Sequence, residues 1–323
     1  AKHATSLLRV WFLDEATKMN PNLNFGQAVK GQNDGRGAGL IDTRHFIKVI
    51  EAVGLMQSSN SWTPSDNKAL QAWFSSFLEW MQTSKNGTEE MKATNNHGVW
   101  YDAQRLSFAL FTNNTMLAKK IVANVKKRIG SQMDKNGFFP AELARTTSLH
   151  YSLFVVEPLV KIAQMSTHIG VDLWQFTAPN GNSIKKGCDV LVPYLTGEKT
   201  WTGEQIKPFN FEEPLEFFAE ISKKYNCPAC DKKVAEISNY KNGVLDGIYI
   251  KNDESGVALE ESFYVNGQLN GITTYKAPDG LVVAKGMFKK GIKVGVWQFF
   301  ENGKLESEDN YDQPNRIKIK SKK

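Results

Sequence analysis

Through roughly the first 225 residues, apolar positions recur at helical spacing. Ala4, Leu7, Leu8, Trp11 and Phe12 form one stripe, and Ala69, Leu70, Trp73, Phe74, Phe77, Leu78 and Met81 form another. The second follows Pro64, Ser65 and Asp66, residue types that open helices. The same period predicts further helices over 46–53, 101–110, 116–129, 151–165, 184–195 and 215–225, joined by Gly-, Asn- and Pro-rich connections. No alternating strand pattern interrupts them, so seven or eight helices in an α/α architecture are expected. Residues 19–43, MNPNLNFGQAVKGQNDGRGAGLIDT, break the pattern. They are polar and rich in Gly and Asn, and predict a long non-helical loop of functional character.

From Tyr240 onward the texture changes to strands and tight turns. Gly243, Gly267 and Gly291 recur in steps of 24, as do Gly247, Gly271 and Gly295, with second turns at Ser255-Gly256, Asp279-Gly280 and Asn302-Gly303. Asn-Gly and Asp-Gly supply the positive φ of tight hairpins. Each unit therefore predicts a β-hairpin, with Tyr249, Tyr275 and Trp297 packing between units. The spacing resembles the MORN-type repeat, which implies a binding or spacer module without chemistry of its own. The expected chain is an α+β multidomain protein. It has a helical domain over 1–226, a linker with a CxxC over 227–239, β-hairpin repeats over 240–313 and a basic tail over 314–323.

A length of 323 residues suits two domains. With 41% hydrophobic and 23% charged residues, the composition is that of a globular protein rather than a disordered one. No apolar run approaches the roughly 18 residues of a membrane span. The net charge of +6 suits an acidic polymer, while the five cations of the tail (Arg316, Lys318, Lys320, Lys322, Lys323) read as a solvated end. Three cysteines, Cys188, Cys227 and Cys230, are too few for a disulfide scaffold. Cys227 and Cys230 lack both a βαβ redox context and a second metal-binding pair, leaving a local disulfide or two inert thiols. The chain starts at Ala1 with no signal peptide and reads as a mature form or a fragment.

Three segments concentrate polar, reactive residues. The first is the loop, with Asn20, Asn22, Asn24, Gln27, Arg36 and Asp42; the second is Asn95-Asn96-His97-Gly98-Val99-Trp100-Tyr101-Asp102; the third runs from Glu142 through Arg145 and His150 to Tyr151 and Phe154. Each has a plain structural reading: a capped turn, core aromatics, and an i,i+3 ion pair between Glu142 and Arg145. Nucleophile elbow, phosphate loop and metal-ligand spacing are all absent, and the five histidines are scattered.

MNPNLNFGQ with GRGAGLIDT, then NNHGVWYDAQ, then ELARTTSLHY, resemble the alginate lyase superfamily, particularly poly(β-D-mannuronate) lyases and related uronan lyases, over about 1–225. The resemblance implies an α/α toroid, here lacking several N-terminal helices including a lid. It implies β-elimination on an anionic uronate polysaccharide, met in the periplasm or outside the cell, with no metal or organic cofactor. Asn96, His97 and Arg145 would neutralise the sugar carboxylate, whose charge otherwise opposes loss of the C5 proton. Tyr151 would take that proton and protonate the departing O4, or His97 would be the base and Tyr151 the acid. Asn20, Asn22, Gln27 and Arg36 would bind sugar hydroxyls and carboxylates, Trp100 and Tyr101 would stack on pyranose faces, His150 would orient Tyr151 or bind substrate, and Glu142 would position Arg145. Arg145 and Tyr151 stand one residue closer than in mannuronate lyases, which admits glucuronan or another β-1,4-uronan. The rival classes are a non-catalytic carbohydrate-binding protein and a hydrolase using Glu142 and Asp102. No nucleic-acid partner is expected.

Overall fold

A helix whose buried positions run nearly all the way round must lie at the centre of its domain, and Asn96–Phe111 is that helix here: all but three of its sixteen residues are buried. The computed structural model describes residues 1–211, 213–238, 240–241, 244–252, 257–312 and 319–320. Contacts divide the chain into two units, Ala1–Asn226 and Cys227–Lys323.

The first unit is helical. It opens with α1 (Lys2–Leu8) and a π-helical turn (Arg9–Leu13), passes through a loop, and enters a 3₁₀ helix (Gly37–His45) that runs into α2 (Phe46–Met56). There follow α3 (Pro64–Thr83), α4 (Lys85–Met91), the central α5 (Asn96–Phe111), α6 (Thr115–Gln132), the single turn α7 (Pro140–Leu143), α8 (Ser148–Ser166), α9 (Ile184–Leu195) and α10 (Leu215–Tyr225). Phe12, Phe46, Trp73, Phe74, Phe77 and Phe108 interlock with ring centroids 4.8–6.1 Å apart, mostly edge to face. Because α5 is buried all round, its polar side chains need partners. Gln104 binds Thr43 and the Leu40 carbonyl, and Asp102 meets Arg128 and Asn124.

Two expectations fail in this unit. Only one edge of the first apolar stripe is core: Leu8 and Phe12 are buried, while Leu7 and Trp11 stay about half exposed. The loop over 19–43 is not irregular to its end, because Gly37–His45 coils into a 3₁₀ helix held down by buried Leu40 and Ile41.

The second unit begins with a helix where a linker was expected: α11 (Pro228–Ser238) starts with proline at its first position and follows Cys227, which is disulfide-bonded to Cys230. Cys188, in the first unit, is a buried free thiol. Strands follow: β1 (Tyr240–Lys241) pairs with β2 (Val244–Leu245), and a separate antiparallel sheet runs in the order β10-β9-β8-β7-β6-β4-β3. Its members are β3 (Gly247–Asn252), β4 (Ala258–Val265), β6 (Gly271–Lys276), β7 (Val282–Lys289), β8 (Ile292–Glu301), β9 (Lys304–Asn310) and β10 (Ile319–Lys320), with β5 (Gln268–Leu269) paired to β4. Asn266-Gly267, Lys290-Gly291 and Asn302-Gly303 all have positive φ, the geometry a two-residue hairpin turn requires. The N–H of Gly267 donates to the Leu245 carbonyl, and 24 residues on Gly291 donates to Leu269, both at 2.7 Å. Trp297 is fully buried among Tyr275, Phe288 and Tyr311, and Tyr249 pairs with Tyr264. The turns expected at Gly243 and Ser255-Gly256 fall outside the described residues, as does most of the basic tail.

Candidate functional site

The start of α5 carries the first half of the site. Asn95 caps it, its side-chain oxygen accepting from the His97 N–H. Asn96 is fully buried, and its backbone N–H and Nδ2 donate to Oε1 and Oε2 of Glu142 at 2.6 and 2.8 Å. This one carboxyl, on α7, joins the two distant segments that the sequence singled out. Burial pushes the Glu142 pKa up; the two Asn96 bonds oppose this, and Arg145 and His97 are close enough to act on it electrostatically. Glu142 therefore holds Asn96 rather than Arg145. Glu142 and Asn96 are both wholly enclosed, and Glu142, expected to position Arg145, spends its side-chain oxygens on Asn96.

His97 is directed from α4. Its Nδ1 lies 2.7 Å from Oε1 of Glu90, a carboxyl only 3% exposed. With Nδ1 committed, Nε2 is the ring nitrogen left free of protein partners among the described residues. Glu90 is absent from the sequence reading because α4, with the sequence KNGTEEM, has no apolar period to announce a helix. The glycine after His97 is also explained. A Cβ on Gly98 would lie 2.1 Å from the Ala93 carbonyl oxygen and 2.4 Å from Nη1 of Arg128. Arg128 uses that space to donate to the carbonyls of Ala93 and Met91 at 2.6 and 2.7 Å, while its Nε meets Asp102 at 2.7 Å. The turn carrying Glu90 towards His97 is thereby fixed. Asp102 is fully buried in this clamp, so it cannot pair with Glu142 across a cleft as a hydrolase would need.

Arg145 and Tyr151 form a second cluster, linked to the first through Glu142, and His97 lines neither of the clefts beside it. The guanidinium carbon sits 3.7 Å from the ring centroid, a cation on the aromatic face. The strand between them is tied down by hydrogen bonds from Ile206 N–H to the Thr146 carbonyl and from Ser148 N–H to the Glu204 carbonyl, at 2.8 and 2.9 Å. Two clefts, each of about 390 Å³, meet at His150, Tyr151 and Glu213. One extends past Arg44, Lys48, Phe154 and Glu157, and the other past Arg145, Gln205 and Lys207. His150 places Nδ1 3.1 Å from Glu213, and that bond pushes its pKa up against the effect of burial.

The aromatic pair expected to stack on sugars is divided by the fold. Trp100 edges the first cleft, but its Nε1 donates to the Phe154 carbonyl at 2.9 Å and it is 5% exposed. Tyr101 is fully buried, its hydroxyl donates to the Met81 carbonyl at 2.8 Å, and burial pushes its pKa up to about 12. It is core. The four loop residues line neither cleft. Arg36 donates to Gln27 and Gln27 to Asp42, at 2.9 and 3.3 Å; Asn22 accepts from the Asn24 N–H, and the Asn20 carbonyl accepts from the Asn22 N–H. The loop docks on α3 and α4 through Trp80 to Asn24 and Gly37 to Glu89. Arg44, Lys48, Glu157 and Glu213 line the clefts and lie outside any motif read from the sequence. Among the described residues no cluster of His, Cys, Asp and Glu could hold a metal ion, and no helix is long and apolar enough to cross a membrane.

A family model described as alginate lyase matches residues 1–201. Among solved structures, an alginate lyase from Bacteroides ovatus superposes with a TM-score of 0.69 at 35% identity, covering 75% of this chain and 65% of that one. Two variants of alginate lyase A1-III from Sphingomonas species A1, each complexed with a tetrasaccharide, share the fold more distantly. The one with a histidine changed to alanine gives a TM-score of 0.50 at 16% identity, covering 67% of this chain and 59% of that one. The one with a tyrosine changed to phenylalanine gives 0.51 at 14%, covering 70% and 62%. The chain thus spans somewhat less than two thirds of the length of these proteins. No curated protein sequence matches it.

Proposed function

The chain belongs to the alginate lyase family, and from that membership we propose that its helical unit is a polysaccharide lyase cleaving alginate, with polymannuronate preferred, by β-elimination to a 4,5-unsaturated uronate end. The observation that carries this reading is the Arg145–Tyr151 stack at 3.7 Å, placed where two clefts meet. A phenol beside a guanidinium, at a branch point wide enough for a sugar chain, is what C5 proton abstraction next to a carboxylate calls for.

In this reading Arg145 neutralises the sugar carboxylate, so that the negative charge developing at C5 and spreading into that carboxylate meets a fixed cation. His97 shares this task through Nε2, held in place by Glu90, and Asn96 acts from behind by locking the start of α5 to Glu142. Tyr151 removes the C5 proton and returns it to O4 as the glycosidic bond breaks. In β-mannuronate those two atoms lie on one side of the ring, so a single phenol serves both, and Tyr151 is common to both clefts.

The Cys227–Cys230 disulfide favours an oxidising compartment, periplasmic or extracellular, where uronate polymers are met. The strand unit, with its MORN-like spacing, is read as a binding or spacer module. The deciding experiment incubates the protein with polymannuronate, polyguluronate and glucuronan and follows the ultraviolet absorbance of the conjugated double bond. Polymannuronate should give the largest signal, and Tyr151→Phe should lose at least about 100-fold in kcat. A variant lacking the phenol but retaining full turnover, or a protein that binds the polymer without ever forming the double bond, would overturn the assignment.

A further inference from the structure

The first cleft has an acidic wall. Glu213, Glu216 and Glu220 line it around α10, and Glu157 faces it from α8. Three of these carboxyls have partners. Glu213 accepts from His150; Glu216 is gripped by Lys48 and Lys161 at 3.1 and 2.7 Å; Glu220 is met by Gln164 and by Lys223. Although burial works against its charge, the two lysines keep Glu216 below its ordinary range. Glu157 differs. Among the described residues it has no hydrogen bond and no ion pair, although it sits in the wall within one helical turn of Phe154 and Lys161.

Resting on the reading that this cleft takes a uronate chain, we propose that Glu157 is a specificity-determining residue, donating its carboxyl proton to an oxygen of the bound sugar acid and repelling that same sugar once the proton is gone. A carboxyl without a partner is the group in this wall with a donor to spare. Charge complementarity points the same way. Arg44 and Lys48, from the end of the 3₁₀ helix and from α2, line the same cleft and bring it positive charge for the sugar carboxylate. An ionised Glu157 would stand against it.

The electrostatics set the pH at which this matters. Burial, reinforced by Glu213 and Glu216 and opposed by Lys161 and His150, raises the Glu157 pKa to about 7. His45, on the same cleft, is pushed down by burial and by Arg44 and Lys48. His150 is raised by its bond to Glu213 and also gives up its charge as pH rises, so it is the rival source of any pH effect.

Calorimetry with a mannuronate tetrasaccharide separates the two, and it reads binding without needing turnover. For the unaltered protein Kd should be flat below neutrality and rise up to about tenfold per pH unit above the Glu157 titration, the slope of one linked proton. Glu157→Gln keeps the shape and a donor, so its Kd should stay flat through the same range; its melting temperature, measured in parallel, reports that it folds. If Glu157→Gln retains the alkaline rise, His150 or another group is responsible and the proposal is overturned. A pH-flat Kd in the unaltered protein overturns it as well. Pairing the binding profile with the ultraviolet assay keeps the two readings apart. Tight, Glu157-dependent binding without product formation would sink the lyase reading and leave this one standing.

Discussion

At the scale of single residues, the site depends on carboxyls that position rather than react. Glu90 is the clearest case. It is almost wholly enclosed, and it meets Nδ1 of His97 at 2.7 Å, which fixes that side of the ring. Glu90→Gln preserves volume but can present its amide nitrogen to Nδ1, which allows the wrong tautomer and leaves the ring loosely held. The expected outcome is a kcat lower by at least roughly tenfold, towards the ~10⁴-fold loss that replacing such an orienting carboxylate can cause. Steady-state kinetics beside a melting curve provide the check; wild-type kcat in a well-folded variant would mean that His97 works without this support. His97, Asn96, Arg145 and Tyr151 stand out in the sequence as candidates because they occur in compact motifs, but the partners of Glu142 were misjudged. An i,i+3 relation to Arg145 is visible along the chain, whereas the bond to Asn96 crosses 46 residues. The burial of Tyr101 was equally hidden: adjacent Trp100 and Tyr101 occupy different faces of one helix, and only the packed structure says which face meets a cleft.

At the scale of elements, the apolar period located the long helices well: 184–195 and 215–225 match α9 and α10 end to end. It was blind to α4, α7 and α11, which are short, polar or opened by proline, and whose helical form comes from caps and tertiary contacts rather than from a stripe. The start of α3 shows how much a cap contributes. Thr63 and Asp66 form a reciprocal capping box, and Arg9, from the π-helical turn, reaches across to Asp66 at 2.6 Å. The Arg9 bond, with help from Thr63, holds the Asp66 pKa well below the ordinary carboxylate range. A depressed carboxylate stabilises the fold above its unfolded pKa and loses that contribution as pH falls through the folded value. Asp66→Ala should therefore cost about 1–2 kcal/mol near neutral pH, mostly from the cap, since Arg9 is 40% exposed and its bridge is screened. The difference between variant and parent should shrink as pH is lowered below about 4. Denaturant unfolding at several pH values measures this directly; a gap that stays constant into acid would show that the charge on Asp66 is not what stabilises α3.

At the scale of the molecule, the proposed function asks a chain with 40 basic and 34 acidic residues to attract a polyanion to a cleft with an acidic wall. These demands act over different distances. The net charge of +6 works through solvent over a range set by the Debye length, about 10 Å at 0.1 M salt, and salt removes it. The contacts to which the proposal assigns the chemistry, Arg145 against Tyr151 at 3.7 Å and His97 against Glu90 at 2.7 Å, lie well inside that distance and are far less exposed to screening. Raising ionic strength should thus lower kcat/KM for long polymer several-fold by raising KM, while kcat holds nearly constant. The effect should weaken for a tetrasaccharide, whose few charges sample little of the surface beyond the cleft. Kinetics on long and short substrate over a salt series separate these contributions. If kcat falls in parallel with kcat/KM, the ions are reaching the reacting groups themselves, and the division between long-range attraction and a sheltered site is wrong for this fold.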